Sequence, residues 1–204
     1  MNSKRDISPR NRRILRRLIR SRDGAAAIEF AILAIPYFMI IFAIIETFVA
    51  FSAEQLLSHA TNQMARQIRT GEITFGLGRD TDMTETQFRS AFCDEISIMM
   101  RCSETEINEP RQLYLDVRTF TAFSTIPIGV PKVSGDAFSD LDTSSFSFSP
   151  GGPGSINMVR AFYRWQVTAD LIRPLITTIR PADGSMPTDF LIVATTTFQN
   201  ENYP

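Results

Sequence analysis

The chain has 204 residues, with 21 basic and 22 acidic side chains, two cysteines and one histidine. Nine basic and two acidic residues lie within the first 24 positions, so residues 25–204 carry 12 basic and 20 acidic side chains, a net charge of −8. This acidic balance argues against nucleic acid as a partner. A lone histidine without neighbouring ligands argues against a metal site. No nucleophile or zinc motif indicates catalysis, so we expect no cofactor and no enzymatic activity.

A basic leader, residues 1–24, precedes a long apolar segment. No charged residue occurs from Ala31 to Ile45, and a helix over 25–51 would be long enough to cross a bilayer core of about 30 Å. The nearest basic residue after this segment is Arg66. The asymmetry predicts a single-pass inner-membrane protein whose N-terminus is cytoplasmic and whose residues 52–204 are periplasmic.

Three interpretations of this region compete. A secretory signal peptide is one, because residues 50–53 have the small-x-small shape of a cleavage site, although the apolar region is longer than a typical signal core. The second is an uncleaved anchor that carries a periplasmic partner- or ligand-binding domain. The third is a type IV pilin-like leader, in which Gly24 ends the leader, Ala25 begins the mature chain and Glu29 takes its fifth position.

The stretch from Gly24 to Ala31, with Pro36 shortly after it, resembles the TadE/TadF-like pseudopilins of the tight-adherence (Flp, type IVc) pilus system. The Asn- and Glu-containing ending, residues 198–204, is similar to the endings of TadE-like proteins. The resemblance implies cleavage between Gly24 and Ala25 by a prepilin peptidase. It further implies partners among the pilin and pseudopilin subunits and the assembly platform, incorporation into an extracellular pilus, and a role in surface attachment and biofilm formation.

Two residues of the apolar segment have testable roles. A carboxylate there is costly unless it is paired, so Glu29 is expected to set the register between subunits by pairing with a neighbour's α-amino group. The alternative is that Glu29 reaches the headgroup region, one turn away. Pro36 removes one helical hydrogen bond and is expected either to kink the helix or to be tolerated without effect.

The helix is predicted to continue over residues 52–70, with an apolar stripe at spacings of three and four, and to stop at Gly71. A capping box at Thr84 opens a second helix through about Met100, with Met99 among its buried residues. Cys93 and Cys102 could form a disulfide in an oxidising periplasm, provided that this helix ends before Cys102, or could remain two buried thiols.

Three strands are predicted at 112–120, 158–169 and 189–198. The expected fold is α+β and pilin-like: a long N-terminal membrane-spanning helix continues into a periplasmic domain with a second helix and an antiparallel sheet of three or four strands. Residues 124–157 form an irregular Ser-, Pro- and Gly-rich loop. Its aromatic residues would either pin the loop to the core or contact a partner; they are Phe138, Phe146 and Phe148.

Overall fold

The computed structural model describes residues 22–167, 173–180 and 189–203. The helices are α1 (Arg22–Thr70), α2 (Glu85–Ile96), α3 (Glu104–Asn108), a 3-10 turn (Phe123–Thr125) and α4 (Arg173–Ile176). The strands are β1 (Leu113–Phe120), β2 (Phe148–Ser149), β3 (Ile156–Gln166) and β4 (Asp189–Gln199). The α+β class predicted from the sequence is confirmed. The described chain divides between Ile45 and Glu46 into two compact units.

The four strands form one sheet in the order β2-β1-β3-β4. β3 is central and antiparallel to both β1 and β4, as predicted for the three long strands. The short β2 instead pairs parallel with β1, opposite Val117 and Arg118, so the sheet is mixed. β2 runs parallel to β1 because the long 121–147 connection brings the chain back beside β1 in the same direction. A short hairpin would make the two strands antiparallel.

The core of the second unit lies between one face of the sheet and helices α1 and α2. The predicted stripe on α1 is confirmed, because its apolar residues recur at helical spacing and are buried. The fully buried members of this stripe are Ala53, Leu57, Ala60, Met64, Ala65 and Ile68. α1 stops where Gly71 adopts φ +81°, a conformation that favours glycine.

Helix α2 begins as predicted and ends earlier. The Thr84 hydroxyl accepts from the Gln87 backbone N–H, and the Gln87 side chain accepts from the Thr84 N–H, which completes the capping box. The helix ends at Ile96 rather than near Met100. The chain turns there, so the prediction that Met99 is buried is wrong: it is 40% exposed, and Met100 takes the buried place.

The irregular segment covers the other face of the sheet. Phe146 stacks on Phe162 of β3 with ring centroids 5.1 Å apart, and Phe148 enters the core 4.8 Å from the ring of Phe88. Phe138 is 43% exposed. The segment is therefore pinned by two of the three aromatic residues proposed for it.

Candidate functional site: the exposed apolar half of helix α1

Large apolar side chains of α1 are exposed along the described part of the first unit, from Ile28 to Ile45. Phe30 is 71% exposed, Ile35 is 67% exposed and Phe42 is 61% exposed. Monomeric soluble proteins rarely expose contiguous apolar surface of this extent, because exposing apolar surface to water costs free energy in proportion to its area. In the described part of the chain, one helix, within Ala26–Thr70, is long and apolar enough to cross a membrane.

Glu29 is exposed within this apolar surface. Residues three, four and seven positions further along share its side of the helix, so Ile32, Leu33 and Pro36 lie on the same face. The helix continues through Pro36. Because proline has no N–H, the carbonyl of Ile32 loses its helical hydrogen-bond donor. This face therefore carries the Glu29 carboxylate and, one turn away, the Ile32 carbonyl oxygen, which lacks its helical hydrogen-bond donor. That Pro36 kinks the helix stays a prediction.

The predicted cleavage position lies at the start of the same helix. The backbone of Gly24 and Ala25 belongs to the first turn of α1, which begins at Arg22. Cleavage between these two residues stays a prediction.

The cysteines lie in the second unit, so the structure does not group them with the residues above. Cys93, in the last turn of α2, forms a disulfide with Cys102, and the two Cα atoms are 5.4 Å apart. The early end of α2 makes this possible. The neighbouring Arg101 backbone N–H donates to the Tyr163 hydroxyl at 3.0 Å, which ties the bridged loop to β3. Burial raises the pKa of that hydroxyl.

Two buried charged residues join the helices to β1, and sequence reasoning missed both. The guanidinium of Arg89 donates to the carbonyls of Glu106, Ile107 and Leu113 at 2.9–3.0 Å. Burial lowers the Arg89 pKa, and the nearby Glu106 carboxylate opposes this. That carboxylate accepts from three consecutive backbone N–H groups, residues 111–113, at 2.7–2.8 Å. No spacing in the sequence signals these contacts, because the partners are backbone atoms.

Two arginines of β3 hold the irregular segment against the sheet. Arg160 donates to the carbonyls of Pro127 and Gly129, the latter at 3.1 Å. Arg164 pairs with Asp140. Both arginines lie on the side of β3 that a half-exposed strand would turn to solvent, and Arg160 is only 4% exposed. Their occurrence four residues apart on one strand face is the signal that could have indicated a covering segment.

The C-terminal ending closes the second unit. The buried amide of Asn200 donates to the carbonyls of Gly151 and Gly152 at 2.8 and 2.9 Å. The backbone N–H of Glu201 donates to the carbonyl of Arg69 in the last turn of α1 at 3.0 Å. This bond satisfies a helix-end carbonyl. The Tyr203 ring packs on Gly71, where an added Cβ would lie 2.6 Å from the ring.

In the part of the chain that the structure describes, one apolar helix long enough to cross a membrane and a compact α+β unit fit the class of single-pass membrane proteins. A family model described as TadE-like protein matches residues 24–66, about a fifth of the chain, beginning at the glycine of the predicted cleavage site. This match confirms the resemblance for that stretch. No curated protein and no solved structure matches the chain. Among the described residues, no cluster of three or more His, Cys, Asp or Glu side chains could hold a metal ion.

Proposed function

We propose that this chain is a minor pilin-like subunit, a pseudopilin, of a tight-adherence (Flp) type IV pilus that serves surface attachment. The observation that carries this proposal is the TadE-like match, which starts at Gly24 and covers the exposed apolar helix with Glu29. The subunit acts by assembly with other subunits, not by catalysis.

The proposed topology follows from charge. The nine basic residues before Gly24 remain in the cytoplasm, the apolar part of α1 crosses the inner membrane, and the disulfide-bonded unit lies in the periplasm. Its net negative charge is compatible with this side, since the positive-inside rule concerns Lys and Arg near the span.

In this proposal, a prepilin peptidase cleaves between Gly24 and Ala25 and creates a free α-amino group. Glu29 lies four residues after Ala25, about 6 Å along the helix axis. A neighbouring subunit displaced by about one turn would bring its α-amino group beside this carboxylate. In lipid an unpaired charge costs several kcal/mol, so the pair favours this displacement over others.

The first test is the N-terminal residue of the membrane-extracted chain, measured by mass spectrometry with and without the host's prepilin peptidase. We expect Ala25 only when the peptidase is present. A Gly24→Val variant should remain uncleaved, whereas Glu46→Gln, further along α1, should be cleaved normally. An intact Met1 in both hosts would leave an uncleaved anchor with a binding domain. A start near Glu54 would instead indicate a secreted protein.

The second test separates the role of Glu29 in assembly from processing. We expect Glu29→Gln to retain cleavage and to reduce incorporation into purified pili, since the amide removes the charge with little change of shape. Glu46→Gln is the matched control, because it changes the other carboxylate of the apolar span. Equal incorporation of both variants and the wild type would contradict the proposed register.

A further inference from the structure

β4 is an edge strand, and its outward backbone groups can be identified from their contacts. Along a strand of an antiparallel pair, the N–H and C=O of one residue point to one side of the strand, and those of the next residue point to the other side. Every second residue therefore faces the same neighbour. The Asp189 carbonyl accepts from the N–H groups of Thr178 and Ile179, and the Leu191 N–H donates to the Thr178 hydroxyl. Asn200, by contrast, bonds inward to Ser155. The odd-numbered residues of β4 therefore face outward.

Within the described part of the chain, this outer edge is closed at both ends and open between them. Thr178 and Ile179 close the start, and the bond from the Glu201 N–H to the Arg69 carbonyl closes the end. Between these points, the backbone groups of the outward residues Val193, Thr195, Thr197 and Gln199 have no backbone partner among the described residues. We call 193–197 the edge window. Its ends limit an added strand to a few residues.

The edge window borders a cavity with basic side chains. The cavity has a volume of about 180 Å³, and its lining residues are Asn62, Ala65, Arg66, Arg69, Thr196 and Phe198. Arg69 pairs with Glu201 at 3.4 Å, while Arg66 is exposed and has no ion pair among the residues that the structure describes. The edge window is therefore locally basic in a part of the chain whose net charge is −8.

We propose that the edge window binds an extended acidic segment of a different polypeptide by strand addition. The three outward residues supply main-chain hydrogen bonds, and Arg66 selects carboxylate side chains on the face toward α1. Unpaired strand edges are ready templates for such pairing. A second copy is a poorer occupant, since residues 25–204 of each chain carry a net charge of −8 and two such segments repel each other. This inference does not require the chain to be cleaved or assembled into a pilus.

The test measures amide hydrogen exchange of the full chain in detergent micelles with a defined probe, the peptide acetyl-TVEVEVT-amide. Without peptide, we expect the N–H groups of Val193, Thr195 and Thr197 to exchange faster than those of Ala194 and Thr196. The peptide should slow the first three by about tenfold or more and leave the other two unchanged. The control peptide carries lysine in place of both glutamates and should give no protection.

Two variants separate backbone pairing from charge. Thr197→Pro removes an outward N–H that the β3 ladder does not use, so the sheet should fold while the peptide no longer binds. Thr197→Ala is its control and should bind normally. Arg66→Glu should weaken the acidic peptide about fivefold or more and favour the lysine peptide.

Four outcomes would overturn the inference. The first is slow exchange of the three outward amides in the free chain, which would mean that the edge is already covered. The second is protection that grows with protein concentration alone, which would identify a second copy as the occupant. Absence of protection with the acidic peptide and equal protection by both peptides are the others.

Discussion

The buried amide of Asn200 offers a sharp test of how the C-terminal ending stabilises the second unit. Asn200→Ala removes three side-chain hydrogen bonds, which the amide donates to the carbonyls of Gly151 and Gly152 and to the Tyr203 hydroxyl. Each such bond contributes about 1 kcal/mol net. The substitution also removes a side-chain oxygen that has no hydrogen-bond partner among the described residues, which offsets part of the loss. We expect the free energy of unfolding to fall by about 2 kcal/mol.

The chain provides its own control and its own probe. Asn202, two residues further on, is exposed, so Asn202→Ala should change stability by less than about 0.5 kcal/mol. Trp165 is the only tryptophan and lies on β3, so its fluorescence reports unfolding of the sheet. A loss of about 2 kcal/mol corresponds to a fall in Tm of about 4–8 °C. Equal effects of the two substitutions would refute the reasoning.

Three further predictions concern the same unit. Gly71→Ala should destabilise it by about 1–3 kcal/mol in urea unfolding, because the position has a positive φ and an added Cβ would meet the Tyr203 ring. Reduction of the disulfide should lower stability by about 2–3 kcal/mol, measured by urea unfolding with and without a thiol reductant; no change would contradict it. The Thr74 hydroxyl and backbone N–H groups lower the pKa of Asp82 below its ordinary value of 3.8. The stabilisation from the ionised Asp82 carboxylate is therefore present above that pH and is lost as the pH falls through the lower pKa of the folded state. With Asp82→Asn, the free energy of unfolding should depend less on pH in this acid range.

Patterns that depend on neighbouring positions in the chain were predictable. The stripe on α1 and the capping box at Thr84 were both found, because helical periodicity and capping are local. The three long strands were found for the same reason, through alternation and β-branched residues. The Cys93–Cys102 pairing was foreseen as an option that required a broken helix.

The direction of β2 and the cover over β3 depend on the tertiary structure and were not predictable. Phe148 is buried because the chain pairs with β1 again after the 121–147 connection, and no local sequence pattern encodes that pairing. Arg160 resembles a solvent-facing strand residue in sequence, but its partners are the carbonyls of Pro127 and Gly129, which any residue type would supply. The positions proposed as functional in α1 come from the sequence motif, and both the positions and their roles stay predictions.

The bond between Glu201 and Arg69 joins two segments that lie far apart in the sequence. The apolar stripe of α1 is likewise covered by β1, β3 and β4, all of which follow it at long sequence separation. Contacts of this range slow folding, because the entropy of closing the intervening loops must be overcome before the contacts form. The second unit is therefore expected to fold slowly, with the stripe of α1 exposed until the sheet has closed over it.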